Sequence, residues 1–157
     1  MSFESPPFSP IDPSPFRIGI VAAEFNQSLV EFLLSRVIEV IGDNGKPMEM
    51  ITERVPGSNE IPAALNLLLE KKSFSCLIGL GVVIKGGTSH HHLVAEAAGV
   101  AIQNLAIKHN TPIINGIVVT EDKISAEERV TGPIDRGREF AQTALKMAAL
   151  KEKWTTT

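Results

Sequence analysis

Tyrosine is absent from the 157 residues, and there is one tryptophan and one cysteine. With aromatic residues at 5 %, the core has to be built from aliphatic side chains. The lone cysteine, Cys76, excludes an intrachain disulfide and fits a reducing compartment. No apolar run approaches the roughly 20 residues that span a bilayer, so no membrane partner is expected. The first residues lack a basic region followed by an apolar one, so no signal-peptide pattern is read and a cytoplasmic location is expected. Basic residues are not in excess: 15 Lys and Arg stand against 18 Asp and Glu, for a net charge of −3. Nothing therefore points to nucleic acid or to an anionic surface.

The residues that are present suit a globular chain. Hydrophobic residues make up 43 % and charged residues 21 %, and the length suits one domain with a real core. Proline is concentrated at the start, with five in residues 1–15. Proline fixes φ and supplies no N–H, so this arm is not a regular element. The expected division is a flexible arm over 1–15 and one domain over 16–157. Phe3, Phe8 and Ile11 leave open a second reading, an arm that lies on a neighbouring subunit.

Residues 77–94 organise the rest: L-I-G-L-G-V-V-I-K-G-G-T-S-H-H-H-L-V. The apolar run over 76–84 predicts a strand buried on both faces. Gly86 and Gly87 break it, where the backbone has access to conformations closed to other residues. Thr88 or Ser89 is placed to cap a helix. Val94, Ala97, Ala98, Ala101, Ile102, Leu105 and Ala106 then fall at helical spacing. A strand, a glycine turn and a helix start leave N–H groups and a positive dipole end facing outward, a ready anion site. His90 stands in the first helical turn beside it.

The same alternation runs along the chain. Strands are predicted over 16–23, 48–55 and 113–119 as well. Ser28 is read as the cap of a helix with the stripe Leu29, Phe32, Leu33, Val37, Val40 and Ile41. Ile61, Ala64, Leu65, Leu68 and Leu69 mark a second helix. A short helix is expected over 125–130, then a last one through Phe140, Ala144, Met147 and Ala148, with a frayed tail from Lys151. Four strands alternating with helices predict a parallel sheet covered on both faces. Ligands bind such sheets at the carboxyl ends of the strands. Phe25 and Asn26, residues 57–60, residues 84–90 and residues 115–128 are expected to gather there.

The landmarks come in a fixed order: Phe25-Asn26, V-P-G-S-N-E-I-P at 55–62, L-G-V-V-I-K-G-G-T-S-H at 80–90, P-I-I-N-G at 112–116, and Arg129 and Gly137 in R-V-T-G-P-I-D-R-G. On these motifs, over residues 17–150, the chain resembles the lumazine synthase family of riboflavin biosynthesis. The resemblance implies a three-layer α/β flavodoxin-like sandwich, with a four-stranded parallel sheet in the order 2-1-3-4. It implies a transferase that joins 5-amino-6-(D-ribitylamino)uracil to 3,4-dihydroxy-2-butanone 4-phosphate. The products are 6,7-dimethyl-8-ribityllumazine, phosphate and water, and no cofactor is needed. Phe25 would pack on the pyrimidine ring with Asn26 at its border. Ser58, Asn59 and Glu60 would face the ribityl hydroxyls, and Val83, Ile84 and Asn115 would complete the pocket. Gly87, Thr88, Arg129 and Arg136 would hold the phosphate, and His90 would move protons. The chain departs from the family pattern at Glu24, Asn59, Asn115, His91 and His92.

Plainer readings exist for each residue. Glu60 is also a helix N-terminal acid favoured by the dipole, Arg129 also a surface ion pair, and Phe25 also plain core. Their convergence at one sheet edge favours function. A metal site of His90, His91 and His92 is not expected, because consecutive helical residues point about 100° apart and cannot chelate one ion facially. The alternative function is a non-catalytic relative that binds a flavin or lumazine or serves in assembly. The family places its active site between neighbours in a ring of five. The expectation is thus a homopentamer, free or paired into a decamer, rather than a 60-mer shell, because prolines in the arm deny it a ladder role.

Overall fold

The computed structural model describes residues 4–155. Its elements are β1 (Arg17–Ala23), α1 (Gln27–Asn44), β2 (Glu49–Val55), α2 (Ile61–Lys71), β3 (Cys76–Ile84), α3 (His90–Lys108), β4 (Ile113–Thr120), α4 (Lys123–Val130) and α5 (Arg136–Thr155). Every strand pair is parallel and the order is β2-β1-β3-β4. This is the flavodoxin-like sandwich that the sequence implies.

The period of two in the strands sorts side chains into two cores. On one face Ile18, Ile20 and Ala22 of β1 and Cys76, Ile78, Leu80 and Val82 of β3 meet Leu33 and Val37 of α1, Ala126 of α4, and Ala144 and Leu145 of α5. On the other, Val21, Ala23 and Leu77 meet Ile61 and Leu65 of α2 and Ile102 of α3. The second face of β3 carries glycine where the first carries bulk. A Cβ at Gly79 would come to 2.7 Å from Ile61, and one at Gly81 would collide with the Ser58 hydroxyl. These two glycines let the start of α2 and the 3₁₀ turn before it (Ser58–Glu60) sit directly on the sheet.

The local expectations differ from the structure in a few places. Ser28 is not the cap: α1 begins at Gln27 after Asn26, which takes φ 56° and ψ 46° and makes no side-chain cap bond. Asparagine tolerates that left-handed conformation. Phe32 is exposed, because Val30 and Leu34 share the buried face in its place. Gly86 and Gly87 do not use positive φ, which among the described glycines belongs to Gly45. Neither Thr88 nor Ser89 makes a good cap. Thr88 Oγ1 receives only a long 3.4 Å contact from the His90 amide. The tail is helical rather than frayed through Thr155, and Thr156 and Thr157 lie outside the described residues. Lys151 Nζ pins it, donating to the Phe74 carbonyl at 2.6 Å and to Thr111 Oγ1 at 3.1 Å. Of the arm, Phe3 lies outside the described residues. Phe8 and Ile11 pack against the chain's own core, and Lys146 Nζ donates to the Pro7 carbonyl at 2.6 Å.

One ion pair joins α1 to the turn before α5. Arg36 Nη2 lies 2.7 Å from Asp135 Oδ2, and both side chains are half-buried. Burial works to raise the Asp135 pKa, but bonds from Arg36 and the Arg138 amide outweigh it and hold the carboxyl below its ordinary 3.8. A depressed carboxylate stabilises the fold above its unfolded pKa and loses that contribution as pH falls through the lower folded value. Arg36→Met should therefore lower unfolding free energy by roughly 1–3 kcal/mol at pH 7, between exposed and buried pairs. Denaturant titrations should show the gap between the variant and the parent narrowing below about pH 3.8. A gap that widens in acid would contradict the assignment.

Candidate functional site

The loops after β1 and β2 are fastened together by backbone. The Glu24 amide reaches the Val55 carbonyl at 2.8 Å, and the Phe25 amide reaches the Pro56 carbonyl at 3.0 Å. This holds the Phe25 ring 72 % exposed, so it is not core. The ring stands over Gly57, whose Cβ would lie 3.2 Å from Phe25 and 3.0 Å from the Glu60 carboxylate. An exposed aromatic face beside an acid is thus built by two loops that are distant in sequence.

Asn26 has a structural role here. Its Nδ2 donates to the Val82 carbonyl at 2.7 Å, tying the start of α1 to β3. Ser58 is buried over Gly81, whereas Asn59 and Glu60 are exposed. β1 pairs with β3 only as far as Ala22 and Leu80, but β3 and β4 stay paired to Ile84 and Thr120. Val83 and Ile84 therefore rise past the end of β1 as a half-buried wall beside the Phe25 loop.

Above that wall, residues 85–90 are all exposed. A Cβ at Gly86 or Gly87 would meet nothing within 4 Å, so the backbone there is uncovered. His90 opens α3 and is exposed, whereas His91 turns inward and is 4 % exposed. Asp122 caps α4, accepting from the Ser125 amide at 2.7 Å, and sends the helix back with Arg129 in its last turn.

Asn115, expected among the strand-end residues, stands elsewhere in this chain, and Arg136 stands with it. Asn115 does not follow β4. It lies inside the strand opposite Gly79, exposed on the outer edge of the sheet, and its Oδ1 accepts from the Ile117 amide at 3.2 Å. Isoleucines at 113 and 114 supply the buried start that puts Asn115 within the strand. Arg136 shares with Asn115 a groove of about 510 Å³ along that edge. Its Nη1 is bound to Glu139 Oε2 at 2.6 Å. Arg129 is half-buried and donates from Nη1 to the Ser125 carbonyl at 3.0 Å. Among the described residues it has no carboxylate within 4 Å, so the surface ion-pair reading fails.

Sequence reasoning misses two participants at the rim, His91 as a buried residue and Glu121. The spacing of His91, Ala98 and Ile102, seven and then four, puts the histidine on the buried face of α3 and is the available signal. Glu121, one residue past β4, pairs with Lys85 at 2.8 Å, and that lysine's hydrogen bond holds its carboxyl below the ordinary range. Cys76 takes no part: burial pushes its thiol up to about 12.

The family model described as 6,7-dimethyl-8-ribityllumazine synthase matches residues 15–152. A protein of that name from Methylibium petroleiphilum is 38 % identical over 140 residues, which is 87 % of this chain and 84 % of the relative. One from a Polaromonas species is 37 % identical over 91 % of this chain and 92 % of the relative. One from Burkholderia mallei is 39 % identical over 85 % and 76 %.

Proposed function

The chain belongs to the 6,7-dimethyl-8-ribityllumazine synthase family, and we propose from this that it is a transferase of riboflavin biosynthesis. It condenses 5-amino-6-(D-ribitylamino)uracil with 3,4-dihydroxy-2-butanone 4-phosphate and releases 6,7-dimethyl-8-ribityllumazine, phosphate and water. The observation that carries the reading is the shared rim: an exposed Phe25 ring beside Glu60, with the uncovered Gly87-Thr88 backbone and His90 above β3.

The chemistry needs an amine to add to a carbonyl, phosphate to leave and a ring to close. Each step moves a proton, and histidine is the side chain that exchanges protons near neutral pH. In this reading His90 is the shuttle. Phe25 stacks on the pyrimidine, Asn26 and Val83-Ile84 border it, and Ser58, Asn59 and Glu60 face the ribityl chain. Gly87 and Thr88 offer backbone and hydroxyl donors to the phosphate, and Arg129 offers a planar fork. Asn115 and Arg136 stand at the outer edge of β4, where they serve a neighbouring subunit. Much of the rate comes from holding two reactive molecules together. Mixing purified protein with both substrates should produce the absorbance of the lumazine. No product with either substrate in excess would leave the non-catalytic alternative in its place.

The assembly we propose is a homopentamer, free or paired, in the cytoplasm. Supporting it, Leu93, Val100 and Ile107 are exposed on α3 at a spacing of seven, an apolar seam that nothing among the described residues covers. The arm, proposed as a unit over 1–15 beside a single domain over 16–157, carries prolines that suit no added strand. Residues 7 and 11 of it are already bonded to the chain's own Lys146 and Asn44. Light scattering should give five or ten chains of 16.9 kDa. A 60-mer would sink the small assembly, and a monomer would sink the shared site with it.

A further inference from the structure

Among the described residues, two buried side-chain nitrogens have no hydrogen-bond partner. Both belong to His91, whose Nδ1 and Nε2 are sealed from solvent. Burying a polar ring without partners is unfavourable, and such groups in folded proteins call for an explanation. Nε2 faces Glu121 Oε1 at 3.6 Å. That is too long for a hydrogen bond. His92 Nε2 approaches the same oxygen to 3.7 Å, and the two rings lie with centroids 3.8 Å apart, tilted by 38°. One ligand atom from each of His91, His92 and Glu121 falls within 4.8 Å of the other two.

Those separations have a chemical meaning. An ion with imidazole nitrogens and a carboxylate oxygen at about 2.0–2.2 Å in a tetrahedron holds its ligand atoms about 3.3 Å apart. The two gaps to Glu121 Oε1 exceed that by only a few tenths of an ångström, and the two imidazole nitrogens, within 4.8 Å of each other, need a side-chain rotation to close on one ion. We propose that His91, His92 and Glu121 form a binding site for a divalent transition-metal ion of the zinc class, with the fourth position left to water.

The donor set fits such an ion: two imidazoles and one carboxylate are borderline ligands. It differs from a site of His90, His91 and His92: His90 is exposed and outside the cluster, the rings of His91 and His92 converge to 3.8 Å although the residues are consecutive, and the third ligand comes from the end of β4. Lys85 Nζ binds Glu121 Oε2 at 2.8 Å, which turns Oε1 toward the histidines and keeps the carboxylate ionised. The same lysine, with the positive end of α3, opposes a cation. The site is therefore moderate in affinity rather than a permanent structural centre. When filled, it ties the start of α3, beside His90, to the segment that leads into α4 and Arg129. That contribution is to position, and the proposed reaction routes no step through the ion.

The test uses the full chain without a histidine tag, stripped with a chelator and dialysed. Calorimetric titration with zinc chloride should give one ion per chain. Titration with cobalt should give the visible bands of a low-coordinate site. Glu121→Gln and His92→Ala alter exposed side chains, so both variants keep the fold, and each should weaken binding by roughly tenfold or more. Zinc should raise the melting temperature of the parent but not of Glu121→Gln. His90→Ala should bind as the parent does. Absence of zinc binding to the parent overturns the proposal. So does binding unchanged in both ligand variants, or binding lost in His90→Ala and kept in Glu121→Gln.

Discussion

His90→Ala should cut turnover by roughly 10²-fold, the range of lost acid–base help, which is about 2.7 kcal/mol of barrier. The residue is exposed at the first position of α3, beside uncovered backbone where an anion would dock. Its neighbours differ in kind. His91 is buried under Glu121, and His92 leans on the same acid. Steady-state turnover per folded chain is the measurement. Residual activity should survive, because proximity still joins the two substrates. If His91→Ala or His92→Ala lowers turnover more than His90→Ala, the shuttle has been assigned to the wrong ring.

The second large effect is on binding. Removing a charge that pairs with a buried phosphate costs about 2–5 kcal/mol. Arg129→Ala should therefore raise KM for the butanone phosphate by roughly 30-fold or more, with little change for the pyrimidine. Among the described residues its guanidinium makes one hydrogen bond, to a carbonyl of its own helix, and no carboxylate reaches it at ion-pair distance, Asp122 acting on it only from farther off. Arg136 is tied to Glu139, and Arg136→Ala should be the milder change. Equal effects of Arg129→Ala on both substrates would count against a phosphate role.

The legible parts of the fold are those decided by burial over long stretches. β3 matches its predicted run of 76–84 residue for residue, since a strand buried on both faces needs an unbroken apolar sequence. The start of α1 is harder to read because its cap is a backbone conformation at Asn26, not a hydroxyl at Ser28. The strand over 113–119 is legible from its apolar residues, but that Asn115 stands exposed on an edge strand is not, because edge position cannot be read from local pattern. The rim residues 25, 57–60 and 84–90 fall together because strand ends in a parallel sheet share one side. The pairing of Glu121 with a buried His91 is invisible in the sequence, because it joins residues thirty positions apart through side-chain direction alone.

Cys76 lies at 0 % exposure in the inner strand β3, in register with Ile18, and its thiol is held protonated. Thiolates, not thiols, attack disulfide reagents. The native chain should ignore such a reagent, and its rate of labelling becomes a clock for opening of the sheet. Because the chain has no second cysteine, the signal is unambiguous. Labelling rates along a denaturant series would report the free energy of that opening in the protein as it stands, without an added probe.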